Sequence, residues 1–315
     1  MAEKKIILKT ENLTKKYDTL VAVNELNLEI QEGEIFGLLG PNGAGKTTTI
    51  LLLLGLTEPA GGKATIAGHD CTRDPIGVKR LVGYLPDDVA FYNDMTAREN
   101  LRFIGRLNGL APSVIEERAE ELLQRVGLRK VADMKAGKFS RGMRQRLGIA
   151  DVLMKDPKVV ILDEPTLGID PEGMRDLLYL IKQLAVKDGR TVLISSHQLH
   201  QIQQICDRVG IFVKGKLIAC GKIDELAAEV RGQYYTIEVG IASDNGNLEK
   251  LLRSTAGVED VSRDKNLYVV RSQSDIRSRL AVEVIRQGYS LEHLKMRGGD
   301  LDDIYQKYFA KEGAV

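Results

Sequence analysis

The N-terminal part of the chain carries the alternating pattern of β-strands. Apolar and polar positions alternate over residues 6–30, so that Leu26 and Ile30 share one face. Residues 34–39 then form a short apolar run that predicts a buried strand, and the apolar run at 48–54 predicts the start of a buried helix. The pattern predicts an antiparallel sheet that is followed by a strand, a loop and a helix.

A block with helical spacing follows these first strands. From about residue 96 to 156, apolar positions recur every three or four residues. Two predicted stripes share this spacing and consist of Leu101, Ile104 and Leu107 and of Ile115, Ala119, Leu122 and Val126. We therefore expect a helical subdomain that interrupts an α/β domain.

Two more apolar runs, at 159–162 and 191–194, are continuous instead of alternating. Runs of this kind are typical of parallel strands that are covered on both faces. Ligands of open α/β sheets bind beyond the carboxyl ends of the strands. The candidate functional residues are therefore the polar ones that follow, namely Asp163 and Glu164 after the first run and His197 after the second.

The loop between the strand at 34–39 and the next helix has the pattern Gly-x4-Gly-Lys-Thr. Its glycines let successive backbone N–H groups point at phosphate oxygens, and the helix adds its positive N-terminal dipole. We expect Lys46 to reach the β- and γ-phosphates and Thr47 to hold magnesium. The predicted nucleotide contacts are Gly40, Pro41, Asn42, Gly43, Ala44, Gly45, Lys46, Thr47 and Thr48. The loop predicts binding of a nucleoside triphosphate.

Asp163 and Glu164 supply the acidic groups that this chemistry needs. An aspartate at the end of a buried strand is the usual partner of a phosphate loop, because its carboxylate can hold the magnesium ion. Glu164 can orient and deprotonate an attacking water. The alternative is that both are solvated acids at a strand end. A lone histidine after a strand is more often structural, but the position of His197 after a second buried strand favours a functional role.

Composition narrows the class of protein. The 45 basic and 44 acidic side chains leave a formal net charge of +1, so no general nucleic-acid-binding surface is expected. A chain of 315 residues usually forms two domains. No apolar stretch suits a signal peptide or reaches the ~18 residues that cross a bilayer. If the protein serves a membrane process, we expect another chain to do the crossing.

Four features occur together and in order. They are the phosphate loop, the segment 139–146 (Phe-Ser-Arg-Gly-Met-Arg-Gln-Arg), the run 161–166 (Ile-Leu-Asp-Glu-Pro-Thr) and His197. Over about residues 5–225 the chain resembles the ATPase subunit of an ABC transporter. The resemblance implies an α/β fold, a P-loop NTPase of the ABC ATPase type, whose mixed sheet carries an antiparallel subdomain and a helical subdomain. It also implies hydrolysis of ATP, with ATP and Mg²⁺ as cofactors.

The resemblance implies roles for single residues in the chain's own site. Glu164 and His197 are implied to be catalytic, with Glu164 as the base for water. Tyr17 matches the aromatic residue that stacks on adenine, although packing in the sheet is its alternative role. Asp163 and Thr47 are implied to hold Mg²⁺.

Other residues are implied to act across a dimer. Ser140 and Gly142 match the segment that contacts the nucleotide of a second protomer, so two subunits would sandwich two ATP molecules. Asp170 matches a position that helps to join the protomers. Taken alone, Ser140 would be only a good helix cap.

The sequence departs from the family pattern at two places. Asp87, followed by Asp88, stands where glutamine is usual in the loop that senses the γ-phosphate and the metal, so Asp87 is a candidate metal ligand. In the segment 139–146, Arg141 replaces a glycine and Met143 a glutamine. Related exporter ATPases often show both features, which favours an exporter over an importer.

A second domain is predicted after the ATPase part. We place the ATP-binding domain at 1–229, with its helical subdomain at about 96–156, and an accessory α+β domain at 230–315. The predicted order strand, helix, strand, strand, helix, strand is that of a ferredoxin-like domain, and a last helix is predicted over 301–309. We expect this domain to serve dimer contact or regulation, with ligand sensing as the alternative.

The resemblance implies a subunit that powers a membrane exporter, in which ATP closes a dimer and hydrolysis opens it. The expected partners are a second ATPase protomer, identical or a paralogue, and a separate integral membrane permease that docks on the helical block near residues 87–108. No nucleic acid is expected. The expected location is cytoplasmic, peripheral on the inner face of the cell membrane. The alternatives are a soluble ABC ATPase that acts on nucleic acid or ribosomes and a simple P-loop kinase.

Overall fold

The computed structural model describes residues 5–231, 234–242 and 246–297. The predicted helix over 301–309 lies outside the described residues. The chain divides into two compact units, Met1–Cys220 and Gly221–Val315. The predicted domain boundary at 229/230 lies a little further along the chain than this division.

The first unit alternates strands and helices. Its strands are β1 (Ile6–Tyr17), β2 (Leu20–Gln31), β3 (Ile35–Leu39), β4 (Gly61–Ile66), β5 (His69–Asp70), β6 (Val82–Leu85), β7 (Val159–Asp163), β8 (Thr191–Ser196), β9 (Arg208–Val213) and β10 (Lys216–Gly221). Its helices are α1 (Lys46–Leu53), α2 (Pro75–Leu81), α3 (Ala97–Leu107), α4 (Pro112–Arg125), α5 (Arg141–Leu153), α6 (Pro171–Val186) and α7 (Leu199–Ile202). Short 3-10 turns lie at Arg129–Val131 and Ala136–Lys138.

Two sheets build this unit. Strands β2, β1, β4 and β5 form an antiparallel sheet, as the alternating pattern predicts. The second sheet has the order β10-β9-β3-β8-β7-β6, and its strands β9, β3, β8, β7 and β6 are parallel. Every residue of β3, β7 and β8 is buried, because both faces of the parallel sheet are covered. This burial explains the continuously apolar runs.

The helices α3, α4 and α5 lie within the predicted helical block. A capping box starts α3: Thr96 Oγ1 accepts the Glu99 N–H, and the Glu99 carboxylate accepts the Thr96 N–H. Leu101 is fully buried, but Leu107 is 66% exposed. The predicted stripe is interrupted there because α3 ends at Leu107 and the chain turns away through Gly109, whose φ is +73°.

The second unit is a small α+β arrangement. Its elements are α8 (Ile223–Arg231), β11 (Tyr235–Ile241), α9 (Leu248–Ser254), β12 (Val258–Asp264), β13 (Leu267–Ser272), α10 (Arg277–Arg286) and β14 (Leu291–Arg297). From β11 onward they follow the predicted order of strands and helices. The sheet order is β12-β13-β11-β14, with antiparallel neighbours. Its assignment to the ferredoxin-like class stays a prediction.

Candidate active site

The order of the parallel sheet brings three strand ends together. Strands β3, β8 and β7 are neighbours, and their last residues are aligned, since Leu39 pairs with Ser196 and Asp163 pairs with Ser195. The loops that follow these strands therefore start at the same edge of the sheet. Segments that are far apart in sequence converge there: the phosphate loop after β3, Glu164 after β7 and His197 after β8.

Close backbone contacts fix the path of the phosphate loop. Gly45, which caps α1, has a φ of +104°, and a Cβ at this residue would lie 2.3 Å from the carbonyl oxygen of Ala22. A Cβ at Gly40 would lie 2.5 Å from the carbonyl oxygen of Phe212. Only glycine fits at these two positions, because any side chain would meet backbone atoms. The loop thus reaches the N-terminus of α1, where an anion is favoured.

Lys46 is the first residue of α1, and its side chain is 5% exposed. Its Nζ donates hydrogen bonds to the carbonyl oxygens of Gly40, at 2.7 Å, and Pro41, at 3.1 Å. Nζ also lies 3.3 Å from Oε1 of Glu164. A buried ammonium group therefore stands between the phosphate loop and the carboxylate that follows β7.

Glu164 is held in an unusual conformation. Its φ is +47°, a left-handed conformation that costs about 1–2 kcal/mol for a residue with a Cβ. Its backbone N–H lies within hydrogen-bond distance of the carbonyl oxygen of Ser195, at 3.2 Å, and of the Ser195 Oγ, at 3.0 Å. Strain of this kind at the end of a buried strand is typical of functional residues.

The two carboxylate oxygens of Glu164 have different surroundings. Oε2 accepts hydrogen bonds from the His197 Nδ1, at 2.8 Å, and from the His197 backbone N–H, at 3.3 Å. Oε1 is buried and has no hydrogen-bond donor among the described residues. Lys46 is close enough to Oε1 for an ion pair but is not aligned for a hydrogen bond. One oxygen is therefore fixed, and the other keeps its capacity to accept a hydrogen bond.

Three oxygen-bearing side chains meet at the end of β7. Asp163 is 1% exposed and accepts hydrogen bonds from the hydroxyls of Ser195 and Thr47. Burial raises the pKa of Asp163, the two hydrogen bonds lower it, and the nearby carboxylates of Asp87 and Glu164 raise it. A hydroxyl and carboxylates are the ligands that Mg²⁺ prefers, and this buried negative charge suits a cation. The donor set fits the predicted metal.

This arrangement differs from a preformed metal cage. Among the described residues no group of three or more His, Cys, Asp or Glu side chains is placed to hold a metal. Magnesium at nucleotide sites is usually bound by one or two protein side chains together with phosphates and water. The geometry matches that type of site.

A cavity of about 650 Å³ opens onto these groups. Ten of the predicted site residues line it: Tyr17, Asn42, Gly43, Gly45, Lys46, Thr47, Thr48, Asp87, Glu164 and His197. Tyr17 is 44% exposed at the end of β1, and the Nζ of Lys15 lies 4.9 Å from its ring centre. Gly40, Pro41, Ala44 and Asp163 are not among the lining residues.

The cavity also contains residues that the sequence pattern did not single out. They are Leu20, Val21, Ala22, Lys214 and Gly215, and Leu167 of the loop that carries Asp170 lines the cavity as well. The turn formed by Lys214 and Gly215 joins β9 to β10, and the Gly215 N–H donates to the Ala44 carbonyl at 2.9 Å. In the sequence, this turn is indicated only by a Lys-Gly pair after an apolar run. The turn lies near the phosphate loop because β9 lies beside β3.

Ser140 and Gly142 do not line the cavity. Ser140 is exposed at the start of α5, where its hydroxyl accepts the Met143 N–H at 3.3 Å. Asp170 caps α6 in the same way and accepts the Gly173 N–H at 3.1 Å. The separation of Ser140 from the chain's own phosphate loop is compatible with the predicted contact to a second protomer.

A cavity of similar size, about 680 Å³, lies elsewhere in the first unit. It is lined by residues of α4, α5 and α6, including Arg125, Arg146 and Tyr179. It contains none of the predicted functional residues. The predicted site residues therefore gather at the cavity at the strand ends, although the other cavity is slightly larger. Within the described part of the chain, no helix has the length and apolarity needed to cross a membrane.

Comparison with known proteins identifies the family. The model of the ABC transporter family matches residues 23–167. The linearmycin resistance ATP-binding protein LnrL of Bacillus subtilis is 38% identical over 256 residues, which cover 81% of this chain and 82% of that protein. The bacitracin transport ATP-binding protein BcrA of Bacillus licheniformis is 35% identical over 302 residues, which cover 96% of each chain.

Solved structures show the same fold. The protein cbiO1 from Clostridium perfringens, part of the ABC transporter complex cbiONQ, superposes with a TM-score of 0.66 and 30% identity over 72% of this chain and 92% of that one. The ATP-binding cassette MJ0796, dimeric and in a post-hydrolysis state with ADP and Pi, superposes with a TM-score of 0.63 and 25% identity over 69% of this chain and 98% of that one. With its phosphate loop, its paired acids after β7 and these relatives, the chain belongs to the ABC transporter family as an ATP-binding subunit that hydrolyses ATP.

Proposed function

We propose that two such subunits sandwich two ATP molecules and use them to drive a membrane exporter. The observation that carries the proposal is the asymmetry at Glu164. One of its oxygens is fixed by His197, and the other is buried beside Lys46 and accepts no hydrogen bond from the part of the chain that the structure describes. This is the arrangement that a base needs if it is to accept a proton from one particular water molecule.

The chain's own residues divide the work of hydrolysis. Glu164 Oε1 accepts the proton of the water that attacks the γ-phosphorus, and the bond from that phosphorus to the oxygen of the ADP leaving group breaks. His197 orients Glu164 and lies where negative charge develops on the transferred group. Lys46 exchanges its carbonyl contacts for phosphate oxygens. Tyr17 stacks on adenine at the other end of the cavity.

Thr47, Asp163 and Asp87 would hold Mg²⁺ in this site. When bound, the ion would neutralise part of the negative charge of the phosphates. Asp87 contributes a carboxylate where the family usually has an amide. It also adds negative charge near the γ-phosphate, so we propose that it tunes how tightly the nucleotide is held.

Ser140 and Gly142 complete the site of the partner subunit. Because a two-fold axis relates the subunits, each presents the N-terminus of its α5 to the nucleotide on the other. Asp170 lies close to this interface. ATP then closes the pair, and loss of the γ-phosphate on hydrolysis removes contacts that join the two subunits.

We propose that transport is directed outward, because the names of several relatives refer to resistance or export. Their names refer to linearmycin resistance, bacitracin transport and Nod factor export. We carry over the direction and not the cargo, because a permease builds the path for the cargo. The partner ATPase is either a second copy of this chain or a paralogue.

A groove of about 260 Å³ in the first unit is the proposed docking place of the permease. It lies between the helical block and the rest of the unit, and Leu56, Ile104 and the pair Asp151 and Lys155 are among its lining residues. Leu56 is 53% exposed. Apolar side chains beside a charged pair suit an amphipathic helix. The chain would thus lie in the cytoplasm on the inner face of the membrane.

For the accessory domain, predicted at residues 230–315, we propose a role in dimer contact or regulation. The elements from β11 to β14 form their own small core around Ile237, Val239 and Val270. A separate core allows this part to act as a module of its own.

Purification of the tagged chain from its own membranes tests the proposal. We expect a multi-spanning membrane protein to be recovered with it in mild detergent, and the complex to hydrolyse ATP. Recovery only with ribosomes or nucleic acid would support the alternative of a soluble ABC ATPase, which the transporter relatives do not favour.

A further inference from the structure

Two segments with different tasks approach each other beside the cavity. The first is the acidic loop, which we define as residues 87–93, between β6 and α3. Asp87, at its start, lines the nucleotide cavity. The second is the first part of α5, which Ser140 caps. In the proposed dimer, the acidic loop contacts the chain's own nucleotide, and Ser140 contacts the nucleotide of the partner subunit.

Arg144 of α5 joins these two segments. Its Nη1 donates hydrogen bonds to Oδ1 of Asn93, at 3.0 Å, and to the Ala136 carbonyl, at 3.2 Å. Its Nη2 donates to the Val89 carbonyl at 3.2 Å. The guanidinium carbon lies 5.7 Å from the ring centre of Phe91. A single side chain thus contacts three residues of the acidic loop and the turn that precedes α5.

The chemistry of arginine explains why one residue can make all these contacts. The guanidinium group is planar, carries five N–H donors and can pack on an aromatic ring at the same time. A lysine at this position would keep the charge but would lose the fixed fork of donors. Gln145 adds only a long contact, with its Nε2 3.5 Å from the Asp87 carbonyl. Arg144 is therefore the main connection.

The same part of α5 also touches the loop after Glu164. A Cβ placed on Gly168 would lie 3.0 Å from the side chain of Arg141, so Arg141 packs directly on this loop. A Cβ placed on Gly142 would lie 3.4 Å from Ile169. The N-terminal turns of α5 are thus packed against both loops that carry carboxylates of the chain's own site.

We propose that Arg144 is a positioning residue that makes the acidic loop and the N-terminus of α5 move together. A shift of Asp87 with its nucleotide is passed to Ser140, and through Ser140 to the nucleotide on the partner subunit. Arg144 itself does not line the nucleotide cavity. The inference rests on the proposed dimer with shared sites, and it adds the connection that links the two sites within one subunit.

Steady-state kinetics of the full chain give the first test. We expect Arg144→Ala to lower kcat for ATP about tenfold while KM stays within about twofold, because the phosphate loop and Tyr17 are untouched. Arg144→Lys should recover only part of the loss. Arg118→Ala is the matched control, since Arg118 donates a hydrogen bond to the Leu153 carbonyl, at 2.8 Å, in the same helical block. It should leave kcat unchanged.

Mixed dimers separate coupling from a general loss of structure. When one subunit carries Glu164→Gln, the remaining active site combines the phosphate loop of the unaltered subunit with Ser140 of the altered one. Arg144→Ala is then placed on either subunit in turn. The proposal expects both placements to slow hydrolysis, because one disturbs Ser140 and the other disturbs the acidic loop.

The outcomes are distinct. The coupling role would be overturned if only one placement slows hydrolysis or if neither does. It would also be overturned if Arg144→Ala raises KM by the same factor by which it lowers kcat. If the alanine variant does not fold, Arg144→Lys in the same two placements decides the matter. Absence of ATP hydrolysis in the unaltered chain would instead refute the proposed function, on which the coupling depends.

Discussion

Replacement of Glu164 by glutamine is the perturbation whose consequences follow most directly from the geometry. Glutamine has the same shape, and its amide oxygen can still accept the hydrogen bonds that His197 gives to Oε2. The position of Oε1 is then taken by an NH₂ group, which cannot accept a proton. The substitution therefore removes the base and leaves the surrounding hydrogen bonds in place.

The expected size of the effect follows from the role of a general base. Removal of such a group lowers the rate by roughly 10² to 10⁴, or about 3–5 kcal/mol of activation free energy. Binding of ATP should be unchanged or tighter. Lys46, which is 5% exposed, loses the carboxylate 3.3 Å away and keeps its charge for the phosphates.

The assay is phosphate release by the purified chain with Mg-ATP, together with the dissociation constant for ATP and the ATP-dependent formation of dimers. We expect slow turnover, unchanged binding and dimers that persist. Glu172→Gln is the matched control, because Glu172 is exposed in the first turn of α6. A hydrolysis rate equal to that of the unaltered chain would refute the role of Glu164.

Two further predictions concern the edge of the cavity and the helical block. Tyr17→Ala should raise KM for ATP about tenfold without changing kcat, since stacking of a base on an aromatic ring contributes about 1–3 kcal/mol. Tyr179→Ala is the control and should change neither KM nor kcat, because Tyr179 is 64% exposed and lies outside this cavity. Burial raises the pKa of Asp151 to about 6, above about 3.9 in an unfolded chain, so the folded state should lose stability as the pH rises from about 4 to about 6. Asp151→Asn should therefore raise the free energy of unfolding at pH 7 by about 3 kcal/mol and change it little at pH 4, as measured by chemical denaturation. Asp156→Asn should lower the free energy of unfolding at pH 7, because a hydrogen bond from Arg190 stabilises the charged carboxylate and lowers the pKa of Asp156.

Local sequence patterns were sufficient for the core of the site. The phosphate loop lies between a strand and a helix that its own neighbours predict, and Asp163, Glu164 and His197 each follow an apolar run that became a buried strand. These features depend on short-range chemistry, because glycines, strand ends and helix N-termini are defined by adjacent residues.

Features that depend on sheet order were not predictable in the same way. Lys214 and Gly215 reach the phosphate loop only because β9 lies beside β3. The contacts of Arg144 with the acidic loop arise between residues about fifty positions apart. Spacing also assigns a residue to a helical face without showing what covers that face, so Leu107 could be predicted in a stripe and still be exposed at the end of α3.

We propose that each nucleotide site combines residues of two subunits. A mixture of two inactive variants distinguishes shared sites from two independent ones, with Lys46→Ala removing the phosphate contact and Ser140→Arg blocking the segment offered to the partner. Each variant alone should hydrolyse no ATP. In an equal mixture, half of the dimers contain both variants and have one intact site of two, so about a quarter of the normal activity should return. A mixture that forms dimers but stays inactive would contradict the shared site.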